Sequence, residues 1–299
     1  VVIVAGTGAL GTLLAARLGA LESVTVLGSW NAALEALCAN GAELETAGGL
    51  LRARVRATSD PATGAGASFA FVAVKAHATA AAAAALRESL GRDGVAVTLQ
   101  NGLGNLETLA ATLGAERVVA GTAETGATLV RPGRARSGGG NRIRLAEHPR
   151  AACAADLLRR AGFDVEIVPD AQALLWEKLA ATAPLLPLTA LLGVANGEIL
   201  RRPSAAALLA EAAREVAAVA RAAGVPLPEG EAEGPARRVA EATAENLSSM
   251  LQDVRRGAAT EVDAINGAVV REARRRGVAA PLNHALALAV RALGEGSRA

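Results

Sequence analysis

The chain has 299 residues, enough for two domains that each bury a core of their own. Hydrophobic residues make up 52% and aromatic residues only 2%, so the alanine and glycine richness reads as composition and carries no function. The net charge of +2, from 31 basic and 29 acidic residues, offers no electrostatic footprint for nucleic acid, and no Lys/Arg stripe interleaved with aromatics appears. Cys38 and Cys153 are too far apart to frame a disulfide scaffold, which points to a reduced, intracellular chain. His77, His148 and His284 are scattered without metal-ligand spacing, so no metal site is expected.

The opening "VVIVAGTGALGTLLAARLGA" reads as a β-branched strand, a glycine turn and an amphipathic helix. Gly6, Gly8 and Gly11 have the G-x-G-x-x-G spacing in the context that gives it meaning, with Thr7, Ala9 and Leu10 completing the loop. The first glycine permits the tight turn, the second lets a pyrophosphate approach the backbone, and the third lets helix and strand pack closely. The pyrophosphate then rests on the N–H groups of the helix N-terminus. A dinucleotide-binding fingerprint is therefore expected. With a strand at the start of the chain, no leader is expected.

Strands and helices then alternate: "SVTVLG", "NAALEALCANG", "FAFVAVK", the alanine tract, "GVAVTLQNG", "NLETLAATLG" and "RVVAGTA". "ATLVRPGRARSGGGNRIRLAE" is expected to form two strands around a glycine loop, followed by the helix "PRAACAADLLRRAG" and the strand "DVEIVP". Such alternation predicts an α/β fold with an N-terminal Rossmann-type, doubly wound parallel sheet. Ligands of these sheets bind beyond the carboxyl ends of the strands, where Lys75 and Asn101 stand. At the end of the second strand, an acid would hold the ribose hydroxyl of NAD and an arginine the extra phosphate of NADP. This chain has Ser29-Trp30-Asn31 there, so Ser29 is a candidate phosphate donor and the missing carboxylate argues against NAD.

After Pro169 strand patterning gives way to helical spacing, which sets the expected domains at 1–169 for nucleotide and 170–299 for an all-helical substrate and catalytic domain. Lys178 heads 19 residues, 179–197, without an ionisable side chain. A membrane span needs about 20 apolar residues, and Pro184 and Pro187 would each cost roughly 3 kcal/mol inside a helix. A span is thus rejected, a helix break near "APLLP" is expected, and a soluble, cytoplasmic protein follows. Lys178 is then either a snorkelling helix residue or a catalytic ammonium.

"GTGALG" at 6–11, Lys75, "NGLG" at 101–104, "GATLVRPGRAR" at 126–136, "WEKL" at 176–179, "PLTALLG" at 187–193, "NGE" at 196–198 and "NLSSMLQDVRRGAATEVDAINGAVV" at 246–270 together resemble the ketopantoate reductase (2-dehydropantoate 2-reductase) family along the whole chain. The resemblance implies NADPH as hydride donor, with NADH left open, and reduction of ketopantoate to (R)-pantoate on the way to pantothenate and coenzyme A. It places Lys178 on the catalytic lysine, acting as general acid, and Glu261 on the essential acid, which also serves the cofactor site. Asn101, Asn246 and Ser249 fall on positions that contact cofactor or substrate, and Lys75 and Asn196 on further active-site positions. Locally, "TEVD" also reads as a capping box from Thr260 to Asp263, with Glu261 in the first helical turn.

The family pattern carries asparagines four and eight residues after the lysine, where this chain has Thr182 and Leu186. Thr182 keeps a hydroxyl for substrate; Leu186 cannot hydrogen-bond. Three functions follow: ketopantoate reduction, reduction of a more apolar 2-oxo acid in the manner of D-2-hydroxyacid (mandelate-type) dehydrogenases, and a non-catalytic nucleotide-binding regulator. Retention of Lys178 and Glu261 opposes the last. The family includes monomers and dimers, and apolar faces in the helical half point to a homodimer.

Overall fold

The computed structural model describes residues 1–225, 227 and 232–295; residues 226, 228–231 and 296–299 of the second expected segment lie outside them. The chain forms two compact units, one of Val1–Gln100 with Asn105–Ala171 and one of Asn101–Gly104 with Gln172 onward.

In the first unit the strands are β1 (Val2–Ala5), β2 (Val24–Leu27), β3 (Ala42–Thr46), β4 (Gly49–Ala53), β5 (Arg56–Thr58), β6 (Ala67–Val72), β7 (Leu90–Thr98), β8 (Val118–Glu124), β9 (Ala127–Arg131), β10 (Arg134–Ser137), β11 (Arg142–Ala146) and β12 (Asp164–Val168). Eight of them form one sheet in the order β12-β11-β8-β7-β6-β1-β2-β5. Every neighbouring pair in it is parallel except β11 against β8. β1 and β2 are buried at every residue, the signature of a sheet covered on both faces. The cover comes from α1 (Ala9–Leu18), α2 (Asn31–Asn40), α3 (Thr79–Ser89), α4 (Asn105–Leu113) and α5 (Ala151–Arg160); Ile3 and Phe71 of the sheet and Leu13, Leu14 and Leu109 of the helices are fully buried.

Residues 126–147 depart from the expected pair of strands. They form three, and two of these, β9 and β10, join β3 and β4 in a separate four-stranded sheet, β4-β3-β10-β9. Long-range charge holds that sheet together. Glu43, with its side chain 2% exposed, is gripped by Arg52 and by Arg131 at 2.6 Å. Arg136 and then Arg134 hydrogen-bond Glu45 and hold its carboxyl below the usual carboxylate range. Local pattern marked strands here but not the sheet they join, because the charges that pair them lie as much as 91 residues apart.

The second unit is built of α6 (Ala171–Leu192), α7 (Glu198–Arg201), α8 (Pro203–Ala222), α9 (Gly234–Ala242), α10 (Ser249–Arg255), α11 (Asn266–Arg276) and α12 (Pro281–Glu295). Its core gathers Trp176, Leu179, Leu209, Val216, Ile265 and Leu286. Two expectations are corrected here. The helix does not break at "APLLP": α6 runs unbroken through Pro184 and Pro187, because tertiary packing buries both prolines and a side chain replaces a lost backbone bond. "TEVD" is not a capping box either, since α11 begins only at Asn266. Glu261 instead opens a turn in which its carbonyl accepts from the N–H groups of Ala264 and Ile265, both at 3.0 Å. Among the described residues no helix is long and apolar enough to cross a membrane.

Glu43→Gln replaces one charged acceptor by an amide nitrogen facing guanidinium donors. Because the arginines stay half in water, the expected loss in urea unfolding is about 1–3 kcal/mol; unchanged stability would show that the carboxylate contributes nothing to the smaller sheet.

Candidate functional site

The glycine loop between β1 and α1 is held by its own backbone. Gly6 donates to the carbonyl of Leu27 at 2.9 Å and adopts a φ of +130°; a Cβ there would lie 2.8 Å from the carbonyl of Ala73. A Cβ on Gly11 would lie 2.0 Å from the Gly6 oxygen, so only glycine lets α1 approach the strand. By contrast, a Cβ on Gly8 would meet no atom within 4 Å. Gly8 is the exposed N-cap of α1, no side chain caps it, and the first turn carries no acid. The helix therefore presents its N–H groups and its positive dipole end to open space, which fits a pyrophosphate.

Next to this loop, β6 ends and the chain turns through Ala73 into Lys75, which is half-buried. The Gly6–Ala73 contact thus brings the Lys75 turn beside the glycine loop. Ser29 lies beyond the end of β2 and is exposed, as is Trp30, which precedes α2.

A buried amide that the sequence reading passed over organises these strand ends. Gln100, 6% exposed, donates through Nε2 to the carbonyl of Val74 at 3.0 Å and to Thr79 Oγ1 at 2.7 Å. Thr79 in turn donates to Asn105 Oδ1 at 2.8 Å, and Thr98 donates to Gln100 Oε1 at 3.0 Å. One side chain thereby ties down the residue before Lys75 and is itself the residue before Asn101. Three amides in six residues, "QNGLGN", directly after a strand were the available signal.

In the helical unit, segment 101–104 lies against the turn that starts at Glu261. Leu103 donates to the carbonyl of Ala264 at 2.9 Å, and Gly102, at φ +83°, comes so near that a Cβ would sit 2.2 Å from that oxygen. This brings Asn101 Nδ2 to Glu261 Oε2 at 3.4 Å. Glu261 is 8% exposed.

Asn196 and Asn246 are joined through the backbone, Asn196 N–H to Asn246 O at 3.0 Å. Asn196 Nδ2 donates to Thr243 Oγ1 at 2.8 Å, and that hydroxyl donates on to Val239 O, which fixes the amide orientation and leaves Asn196 Oδ1 buried without a protein partner. Ser249 opens α10, whose cap is Ser248; the hydroxyls of Ser248 and Thr189 share a bond of 2.7 Å that fastens this helix start to α6. On α6 itself, Lys178 is half-buried, Thr182 is buried, and the Thr182 hydroxyl donates back to Lys178 O at 2.9 Å. Its proton is therefore spent inside the helix and only its acceptor capacity remains. Leu186 is 7% exposed and apolar.

The chain is similar to known proteins over nearly its full length. The family model described as ketopantoate reductase PanE/ApbA matches residues 2–150, and that of its C-terminal part matches residues 170–294. A 2-dehydropantoate 2-reductase of Halobacterium salinarum is 38% identical over 298 residues, covering 97% of each chain. Among solved structures, a PanE/ApbA family ketopantoate reductase from Ralstonia eutropha JMP134 superposes with a TM-score of 0.91 at 29% identity, covering 100% of both chains. D-Mandelate dehydrogenase in a ternary complex with NADH and anilino(oxo)acetate shares the fold, with a TM-score of 0.93 at 21% identity over 100% of this chain and 99% of that one. The chain belongs to the ketopantoate reductase family.

Proposed function

We propose that the protein reduces 2-dehydropantoate to (R)-pantoate with NADPH, with Lys178 and Glu261 as its catalytic side chains. Carrying this reading is the retention of both groups, the second hydrogen-bonded by Asn101, in a chain that matches a 2-dehydropantoate 2-reductase along 97% of its length.

The bound nicotinamide supplies the hydride. Around it, Gly6 through Gly11 hold the pyrophosphate on backbone N–H groups, and Lys75 adds a positive charge beside that loop. Ser29 is the donor available for a ribose phosphate, and Asn101 spans cofactor and substrate. As the ketone carbon is reduced, negative charge gathers on its oxygen; the Lys178 ammonium stabilises that charge and supplies the proton. Asn101 Nδ2 orients the Glu261 carboxylate, which accepts from cofactor or substrate hydroxyls. Asn196, Asn246 and Ser249 hold the polar end of the substrate, and the buried Oδ1 of Asn196 is an acceptor still without a partner.

One observation favours a second reading. Leu186 is apolar and the Thr182 proton is internally bonded, so α6 offers fewer hydrogen bonds than two asparagines would. A more apolar 2-oxo acid would leave no unpaired hydroxyl against that surface. Steady-state kinetics with 2-dehydropantoate and with branched and aromatic 2-oxo acids, each with NADPH and NADH, decide between the two. Preferred turnover of 2-dehydropantoate with NADPH supports the proposal; turnover confined to the aromatic acids overturns it.

Lys178→Ala is expected to lower kcat about 10²- to 10⁴-fold while NADPH binding, followed by its fluorescence, stays unchanged. Full retention of kcat would remove Lys178 from the chemistry. Leu186→Asn should leave 2-dehydropantoate turnover nearly as it is under the proposal, whereas a rise of roughly tenfold, the worth of one added hydrogen bond, would mark the apolar acid as the true substrate.

A further inference from the structure

We infer that Asn266 is a positioning residue for the reduction: its amide replaces the hydrogen bond that Pro187 removes from α6 and thereby sets the Lys178 helix in register with the Glu261 turn. The inference rests on the roles proposed above for Lys178 and Glu261.

In an α-helix the carbonyl of residue 183 accepts from the N–H of residue 187. Here residue 187 is proline, which has none. Ala183 is fully buried, so water cannot substitute and an unpaired carbonyl would be costly. Asn266 Nδ2 donates to Ala183 O at 2.8 Å, and its other hydrogen goes to Asn283 Oδ1 at 3.0 Å. Asn283 is fixed in turn by donating to Ala212 O at 3.1 Å and Glu215 Oε2 at 2.8 Å. The Glu215 carboxylate also accepts the backbone N–H groups of Leu282 and Asn283, both at 2.8 Å, at the start of α12. Turning the Asn266 amide over would set oxygen against two oxygens, so its orientation is determined.

That orientation leaves Asn266 Oδ1 buried without a partner. A polar atom held buried at such a cost marks the donor side of the amide as the part that matters. Its place in the chain tells what it does. Ala183 follows Lys178 by five residues on α6, and Asn266 follows Glu261 by five, within the turn closed by Gly267 N–H to Val262 O at 2.9 Å. An ordinary helical bond at 183 would stabilise α6 alone and carry no information about any other segment. Exchanging it for a side-chain bond makes the same carbonyl report the position of the Glu261 turn. The Lys178 helix and the Glu261 turn are thus fixed by one directional amide in addition to the apolar packing they share, which alone tolerates sliding.

The test compares wild type, Asn266→Leu, Pro187→Ala and the double variant by kcat and KM for 2-dehydropantoate, NADPH affinity by fluorescence, and thermal unfolding. Asn266→Leu is expected to lower kcat about tenfold to a hundredfold at temperatures where it remains folded, with NADPH affinity unchanged. In the double variant the backbone N–H restored at 187 donates to Ala183 O, so the melting temperature recovers, while kcat stays within about threefold of Asn266→Leu alone because the link to the Glu261 turn is still missing. A purely structural Asn266 would move the melting temperature and leave kcat of the folded enzyme in place, and that result overturns the inference. So does a double variant whose kcat returns to that of Pro187→Ala, since the unpaired carbonyl alone would then account for the loss. Wild type without turnover of any 2-oxo acid removes the functional reading itself, and the inference with it, before any variant is compared.

Discussion

Within the helical unit, the backbone of Gly102 comes so close to the carbonyl of Ala264 that any side chain at 102 would collide with it. The rest of the candidate chemistry depends on that approach. It lets Leu103 bond to Ala264, and it delivers Asn101 to the carboxylate of Glu261. Residues 101–104 are flanked in sequence by β7 and α4 of the first unit, yet they pack with the helices. Four residues of chain thus belong to the acid's surroundings while remaining covalently tied to the end of a Rossmann strand. Gln100, anchored to Val74 and Thr79, is the last fixed point before they leave the sheet.

The long helix α6 solves a different problem. It buries the twelve uncharged residues 179–190 while carrying the Lys178 side chain at the head of that run. Two prolines inside it look like breaks by propensity alone, since each removes a donor. Propensity is a weak prior where both faces of a helix are buried, and α6 is buried at nearly every position from Leu174 to Ala190. The same prolines spare the helix two N–H groups, and a vacated carbonyl becomes a site for contact with another segment. The loops that hold Asn196 and Asn246 use the same device, backbone bonds between distant segments fixed by a buried amide and a threonine hydroxyl.

Charge plays its structural part elsewhere, in the smaller sheet. Glu43 is a buried carboxylate that only makes sense with arginines arriving from β4, the next strand, and from β9, 88 residues further along the chain. Away from this sheet the ion pairs are mostly between neighbours on one helix, such as Arg201–Glu198 and Arg275–Glu272, where the contribution to stability is small.

By itself the sequence determined whatever depends on short-range pattern. The glycine spacing after a β-branched run, the alternation of strands and helices up to Val168, and the helical spacing beyond it were legible because each arises from sterics and periodicity within a few residues. The family was legible for a related reason, since "SSMLQD" and "TEVDAING" carry chemistry in fixed order. Tertiary structure decided what depends on partners far apart in sequence. It placed β9 and β10 in a second sheet through Glu43 and Glu45, carried α6 through its prolines, turned "TEVD" into a loop entry instead of a helix cap, and set Asn101 on Glu261 across 160 residues. Those outcomes rest on buried hydrogen bonds and ion pairs whose second member no local window contains, so the residues were readable one by one while their pairing was not.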